Sequence, residues 1–107
     1  MRALNYYYLL DMFGNVPFAT KVTTELPKQI KRAELYTWIL NELTEIEADM
    51  YAPRTGSYYR ADQAANWMLQ TRMYLNAEVY TGTAQWNKAA EYSMKVMTSA
   101  YKLNPSY

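Results

Sequence analysis

Apolar positions recur at helical spacing through most of the chain, and strand-type alternation is absent. Arg32 to Asp49 is the clearest case. Leu35, Trp38, Ile39, Leu43, Ile46 and Met50 form one apolar stripe, and acidic residues hold much of the remaining surface. Met1 to Phe13 also predicts a helix, with Leu4, Tyr7, Tyr8 and Met12 at helical spacing. Gly14 stops it and Pro17 confirms the break, but no N-cap residue precedes its first turn, so it reads as truncated at its start. A third helix is expected from an N-cap at Asp62 to about Tyr80. Ala64, Ala65, Trp67, Met68, Leu69, Met73, Leu75, Ala77 and Val79 wrap most of its circumference, which predicts a central, buried element. A fourth runs from about Ala84 to Tyr101, with Trp86, Ala89, Ala90, Ser93, Val96, Met97 and Ala100 as its contact face; Pro105 ends the ordered part.

Two longer connections separate these helices. In Asn15 to Lys31, Pro17, Pro27 and the threonines Thr20, Thr23 and Thr24 oppose regular structure. The segment exceeds the usual helix–helix connection of roughly 2–8 residues, which predicts an elaborated loop packed on something. Met50 to Tyr59 carries the turn residues Pro53, Gly56 and Ser57. The expected fold is all-α: about four helices in antiparallel hairpins, with two irregular loops. Ala77, Tyr80, Gly82, Trp86 and Ala89 match the centre of a tetratricopeptide unit, whereas Val96 and Tyr101 stand where a small residue and a Pro are usual. Stacked helical pairs need about three repeats to bury a continuous core. Two pairs therefore predict a single helical domain, residues 1–107, that is a piece of a longer protein.

Composition removes several function classes. The 107 residues bound the chain to one domain, and with half of them hydrophobic and a fifth charged they are globular in type. A net charge of +1 gives no global field for nucleic acid or an anionic membrane. Lys21, Lys28, Lys31 and Arg32 lie close in sequence, and Glu34, Glu42, Glu45, Glu47 and Asp49 follow; this asymmetry reads as a solvated surface. With no Cys and no His, disulfides, thiol nucleophiles, Cys/His zinc sites and Ser-His-Asp triads are excluded from this chain. No apolar run reaches membrane-spanning length, and the amino-terminal segment lacks the features of a signal peptide. A cytoplasmic protein and an internal piece of an exported one both fit. No Gly-rich phosphate loop is present, and no cofactor is implied.

Glu42 and Glu45 share a helix face, as paired-carboxylate catalysis would need, but a solvated acidic face explains them better. The unusual feature is the count of aromatics: twelve Tyr, three Trp and two Phe. Rings on helical stripes, such as Tyr7, Trp38, Trp67, Tyr74, Tyr80 and Trp86, are assigned to the core. Tyr51, Tyr58 and Tyr59 fall in the second loop and are the candidates to stack on a sugar ring or base. Arg60 and Arg72 are assigned to structural hydrogen bonds.

The segments RALNYYYLLDMFGNVPF (Arg2 to Phe18), RAELYTWILNELTEIEADMYAPR (Arg32 to Arg54) and YRADQAANWMLQTRMYLNAEVYTGTAQWNKAAEYSMKVMTSAYKL (Tyr59 to Leu103) resemble the SusD/RagB family in order and spacing. The first resembles its R-A-x-x-Y-Y-x-L-x-x-x-F-G-x-V-P signature. The last resembles its G-R-A-x-x-x-A-A motif, although Tyr59 stands where Gly usually precedes Arg60-Ala61. The resemblance implies an all-α fold with tetratricopeptide-like pairs and no catalysis. It further implies an outer-membrane lipoprotein at the cell surface, which captures starch-type oligosaccharides for a SusC-like TonB-dependent transporter. It places most glycan contacts outside the matched stretch, leaving this chain as scaffold. The alternative from the residues alone is a free-standing tetratricopeptide-type adaptor that binds a protein or peptide.

Overall fold

The computed structural model describes residues 1–106. The elements are α1 (Arg2–Phe13), β1 (Val16–Phe18), β2 (Lys28–Ile30), α2 (Arg32–Glu47), α3 (Gln63–Leu75), α4 (Ala77–Thr81) and α5 (Trp86–Met97). The architecture is all-α with one two-stranded ribbon.

The core forms where α1, α2, α3 and α4 meet. Leu10, Leu35, Ile39 and Met73 are almost fully buried there, alongside Ala3, Tyr7, Val16, Tyr36, Leu43, Ala77 and Tyr80. Each helix delivers these residues from one stripe, and burying such a side chain contributes about 1.5–3 kcal/mol. A polar ladder joins α3 to α2: Gln70 Nε2 donates to Asn66 Oδ1 at 2.6 Å, and Asn66 Nδ2 donates to the Leu43 carbonyl at 2.7 Å. The Tyr80 hydroxyl donates to Asp11 Oδ1 at 2.7 Å and ties α4 to α1.

The 15–31 connection is a hairpin rather than an irregular loop, with Val16 opposite Ile30, Pro17 opposite Gln29 and Phe18 opposite Lys28. Its cohesion comes from aromatic packing on α1 and α2. Phe18, Tyr6 and Trp38 pack within 4.9–5.3 Å between ring centroids. The Tyr6 hydroxyl donates to the Ala19 carbonyl and accepts from the Ala19 N–H. Arg2 lies over Trp38 and holds Glu42 through Nε at 2.8 Å, closing the cluster.

The third helix departs from the sequence reading in two ways. It breaks at Asn76, whose side-chain amide donates to the Arg72 carbonyl at 3.2 Å, so that α4 starts anew. Asn competes in this way with the helix backbone. It is also not buried all round, since Leu75 and Val79 are exposed while Asn66 and Gln70 are buried. The contact face expected for the last helix narrows similarly. Ala89 is buried, but Trp86, Ala90, Met97 and Ala100 are exposed, because α5 packs chiefly on α3. A stacked Tyr74–Tyr92 pair, 5.5 Å between centroids, fills that interface. On α1, Tyr7 is buried as expected, while Tyr8 and Met12 are exposed. Among the described residues, no helix is long and apolar enough to cross a membrane.

Candidate functional site

The 48–62 loop leads from α2 to α3 and is fixed at several points. The Gln63 N–H donates to the Tyr51 carbonyl at 2.9 Å, and Gln63 Nε2 donates to the Glu47 carbonyl at 3.0 Å. Inside the loop, Thr55 bonds the Ala52 carbonyl through both its N–H and its hydroxyl, and the Arg60 N–H bonds the Ser57 carbonyl.

Asp62 organises the loop. It is buried, and its carboxylate accepts from three donors: the Ala65 N–H at 3.1 Å as the α3 N-cap, the Arg54 N–H at 3.1 Å, and the Tyr101 hydroxyl at 2.5 Å. Burial by itself would raise its pKa; the hydrogen bonds from Tyr101 and from backbone N–H groups outweigh this and hold the carboxyl below its ordinary value. Reciprocally, the bond to Asp62 pushes the Tyr101 hydroxyl up. Arg54 has φ 61, a left-handed conformation uncommon outside Gly. The N–H bond to Asp62 maintains it, together with the guanidinium's position over the Tyr101 ring at 5.7 Å and its 3.5 Å bond to the Ala100 carbonyl.

These residues border an open recess of about 440 Å³, lined by Arg54, Gly56, Ser57, Tyr58, Arg60, Asp62 and Tyr101. The three loop tyrosines occupy different places. Tyr51 packs over Gly56 so closely that a Cβ there would lie 2.7 Å from Tyr51 Cδ2. Tyr58 lines the recess and is fully exposed, and Tyr59 is exposed outside it. Of the two arginines assigned to structural bonds, Arg60 borders the recess, and it is Arg54 that binds a carbonyl, that of Ala100. Arg72 is exposed and serves Asn76 through its own backbone carbonyl. Tyr101 and Arg54 carried no sequence signal: Tyr101 meets Asp62 across 39 positions, a pairing that local spacing cannot reveal. Glu42 is committed to Arg2, at 2.5 Å from Nη2. Among the described residues, no group of three or more metal-binding side chains is brought together.

Comparison with known proteins supplies the decisive observation. The starch-binding protein SusD of Bacteroides thetaiotaomicron is 56% identical to this chain over all 107 residues. The similarity to SusD runs along the whole length of the chain. It spans about a fifth of that relative, 19% of its residues. No protein-family model matches the sequence. Among solved structures, surface glycan-binding protein A from Bacteroides uniformis matches with a TM-score of 0.75 and 26% identity, covering 98% of this chain and 24% of that one. A SusD-like carbohydrate-binding protein from Bacteroides fragilis also gives a TM-score of 0.75, at 24% identity, over 90% of this chain and 19% of that one. This second likeness concerns the fold, and the SusD-like fold is the helical, tetratricopeptide-like arrangement expected from the Tyr80–Ala89 spacing.

Proposed function

We propose that this chain is scaffold from a SusD-like cell-surface glycan-binding protein, one that captures starch-type oligosaccharides for import through a SusC-like TonB-dependent transporter. The observation that carries this reading is the 56% identity to a starch-binding protein across every residue of the chain. The likeness to a surface glycan-binding protein at 26% identity supports it. In this reading residues 1–107 form one helical unit of a longer, non-catalytic protein at the outer-membrane surface. Exposed apolar side chains support the idea that the unit packs against further protein: Met12, Phe13, Leu75 and Val79 near one end, and Trp86, Met94 and Met97 on α5. A free-standing adaptor would instead carry polar terminal faces. Tyr58 and Tyr59 are the candidate glycan contacts, and Tyr51 supports the loop that presents them.

The test is an exchange. The matching stretch of the Bacteroides thetaiotaomicron SusD is replaced by this chain, and starch binding by the purified hybrid is measured. A folded hybrid that binds starch within a few-fold of the parent is expected. A hybrid that folds and fails to bind starch would overturn the assignment.

A further inference from the structure

The hydrophobic core ends at Tyr80. Among the described residues, none of its buried members, and none of the apolar side chains packed against them, comes from α5. Ala89 is the one buried residue of that helix, and the rest of its grip on α3 is half-exposed. The Tyr74 and Tyr92 rings stack, Lys88 lies 5.6 Å over Tyr74, and Lys95 lies 4.4 Å over Tyr92. Cation–π pairs open to solvent are weak. Toward its far end the seam gapes, with a recess of about 340 Å³ bordered by Ala64, Ala65 and Met68 on one side and Val96 and Tyr101 on the other. A helix of 12 residues is marginal once its packing is lost. Its link to α4 is loose as well: Gly82, Thr83 and Ala84 are exposed, and Gly82, at φ +80, has nothing within 4 Å of where a Cβ would stand.

Beyond α5, Tyr101 clasps the 48–62 loop. Its hydroxyl donates to Asp62, its ring lies beneath the Arg54 guanidinium, and the neighbouring Ala100 carbonyl accepts from Arg54. Arg54 is the residue held at φ 61, and a non-Gly residue stays in that region only while its surroundings enforce it. We infer that α5 and the 48–62 loop open together as one unit, hinged at residues 82–84 and latched by Tyr101, while the α1–α4 core stays folded. Displacement of α5 withdraws the ring and the carbonyl that fix the Arg54 side chain, and the loop relaxes. A neighbour that pins α5 therefore also holds the loop. This coupling runs through the chain's own contacts and is independent of any ligand the loop meets.

The experiment is native-state hydrogen exchange of the 107-residue chain in rising guanidinium, followed amide by amide by NMR. The α5 amides from Ala90 to Lys95 and the Arg54 amide should follow one common dependence on denaturant. Both should exchange about tenfold or more faster than the α2 amides around Ile39. Tyr101→Phe keeps the ring and deletes the bond to Asp62; it should speed exchange in both segments by about tenfold and leave α2 unchanged. Ala89→Gly loosens α5 from outside the loop, and should speed the Arg54 amide by about fivefold. Exchange of α5 at the rate of the core would overturn the separate unit. An Arg54 amide indifferent to Ala89→Gly would overturn the coupling, and a Tyr101→Phe effect confined to the loop would overturn the latch. Acceleration that spreads equally to α2 in either variant would show a single cooperative fold and overturn the inference as a whole.

Discussion

Asp62→Asn tests the network that holds the 48–62 loop. The asparagine carbonyl can keep the N-cap bond to the Ala65 N–H. Its amide then faces two groups that now donate, the Arg54 N–H and the Tyr101 hydroxyl. The hydroxyl can rotate to accept, whereas the Arg54 N–H cannot. One N–H is left unpaired in a partly buried place, at about 1–3 kcal/mol, and the charge assistance of the other bonds is lost as well. Together these imply about 2–3 kcal/mol at pH 7, a large share of the 5–15 kcal/mol typical of a domain. The melting temperature should fall by about 10 °C or more. The effect should depend on pH. The folded-state pKa of Asp62 lies below its ordinary value, so its contribution is present above the unfolded value near 3.9 and is lost as pH falls through the folded one. The gap between parent and variant should therefore be widest near neutrality and close toward pH 3. Thermal melts followed by far-UV circular dichroism at both pH values measure it. A variant melting within about 2 °C of the parent at pH 7, or a gap that widens on acidification, would refute the role given to Asp62.

Other substitutions probe the rest of the fold. Leu35→Ala and Ile39→Ala, at fully buried core positions, should each cost about 2–5 kcal/mol in urea unfolding. Gly82→Ala meets no neighbour within 4 Å but must hold φ +80, so it should cost about 1 kcal/mol through backbone conformation alone, read from the same melts. Burial, with a smaller effect from Tyr74, pushes the Tyr36 hydroxyl up to about 12, and burial also raises Tyr80. The folded state thus favours the neutral phenols, and that stability is intact below about pH 10 and is lost as pH climbs toward 12. Phenolate absorbance should rise first for the exposed tyrosines and then in a second step coincident with unfolding; a single step near pH 10 in a folded protein would contradict the burial of Tyr36.

The parts legible in the sequence were those set by local chemistry. The α2 stripe, the Gly14 stop and the Asp62 cap each arise from residues within a turn of one another, and each formed where expected. The features that escaped depend on distant partners. Val16-Pro17-Phe18 has no strand pattern of its own, and it pairs because Tyr6 and Trp38 give Phe18 a surface to pack on. Trp86 looked like a core residue because its neighbours fit a repeat, yet α5 meets α3 through Tyr92 and Ala89 instead. Asn66 and Gln70 gave no sign of burial, since the Leu43 carbonyl that satisfies Asn66 belongs to another helix. In the candidate site, Tyr58 could be picked out as a loop aromatic. Its separation from Tyr51 required the contact with Gly56, and the recess required Tyr101 to cross from the far end of the chain.

The most direct measurement is an amide chemical-shift titration of the isotope-labelled chain with maltoheptaose. Shifts concentrated at residues 54–62 and around Tyr101, with α1 and the β1–β2 ribbon unmoved, are the expected result. Shifts centred on the α1–α2 surface, or none at saturating sugar, would contradict a glycan-facing role for this part of the scaffold.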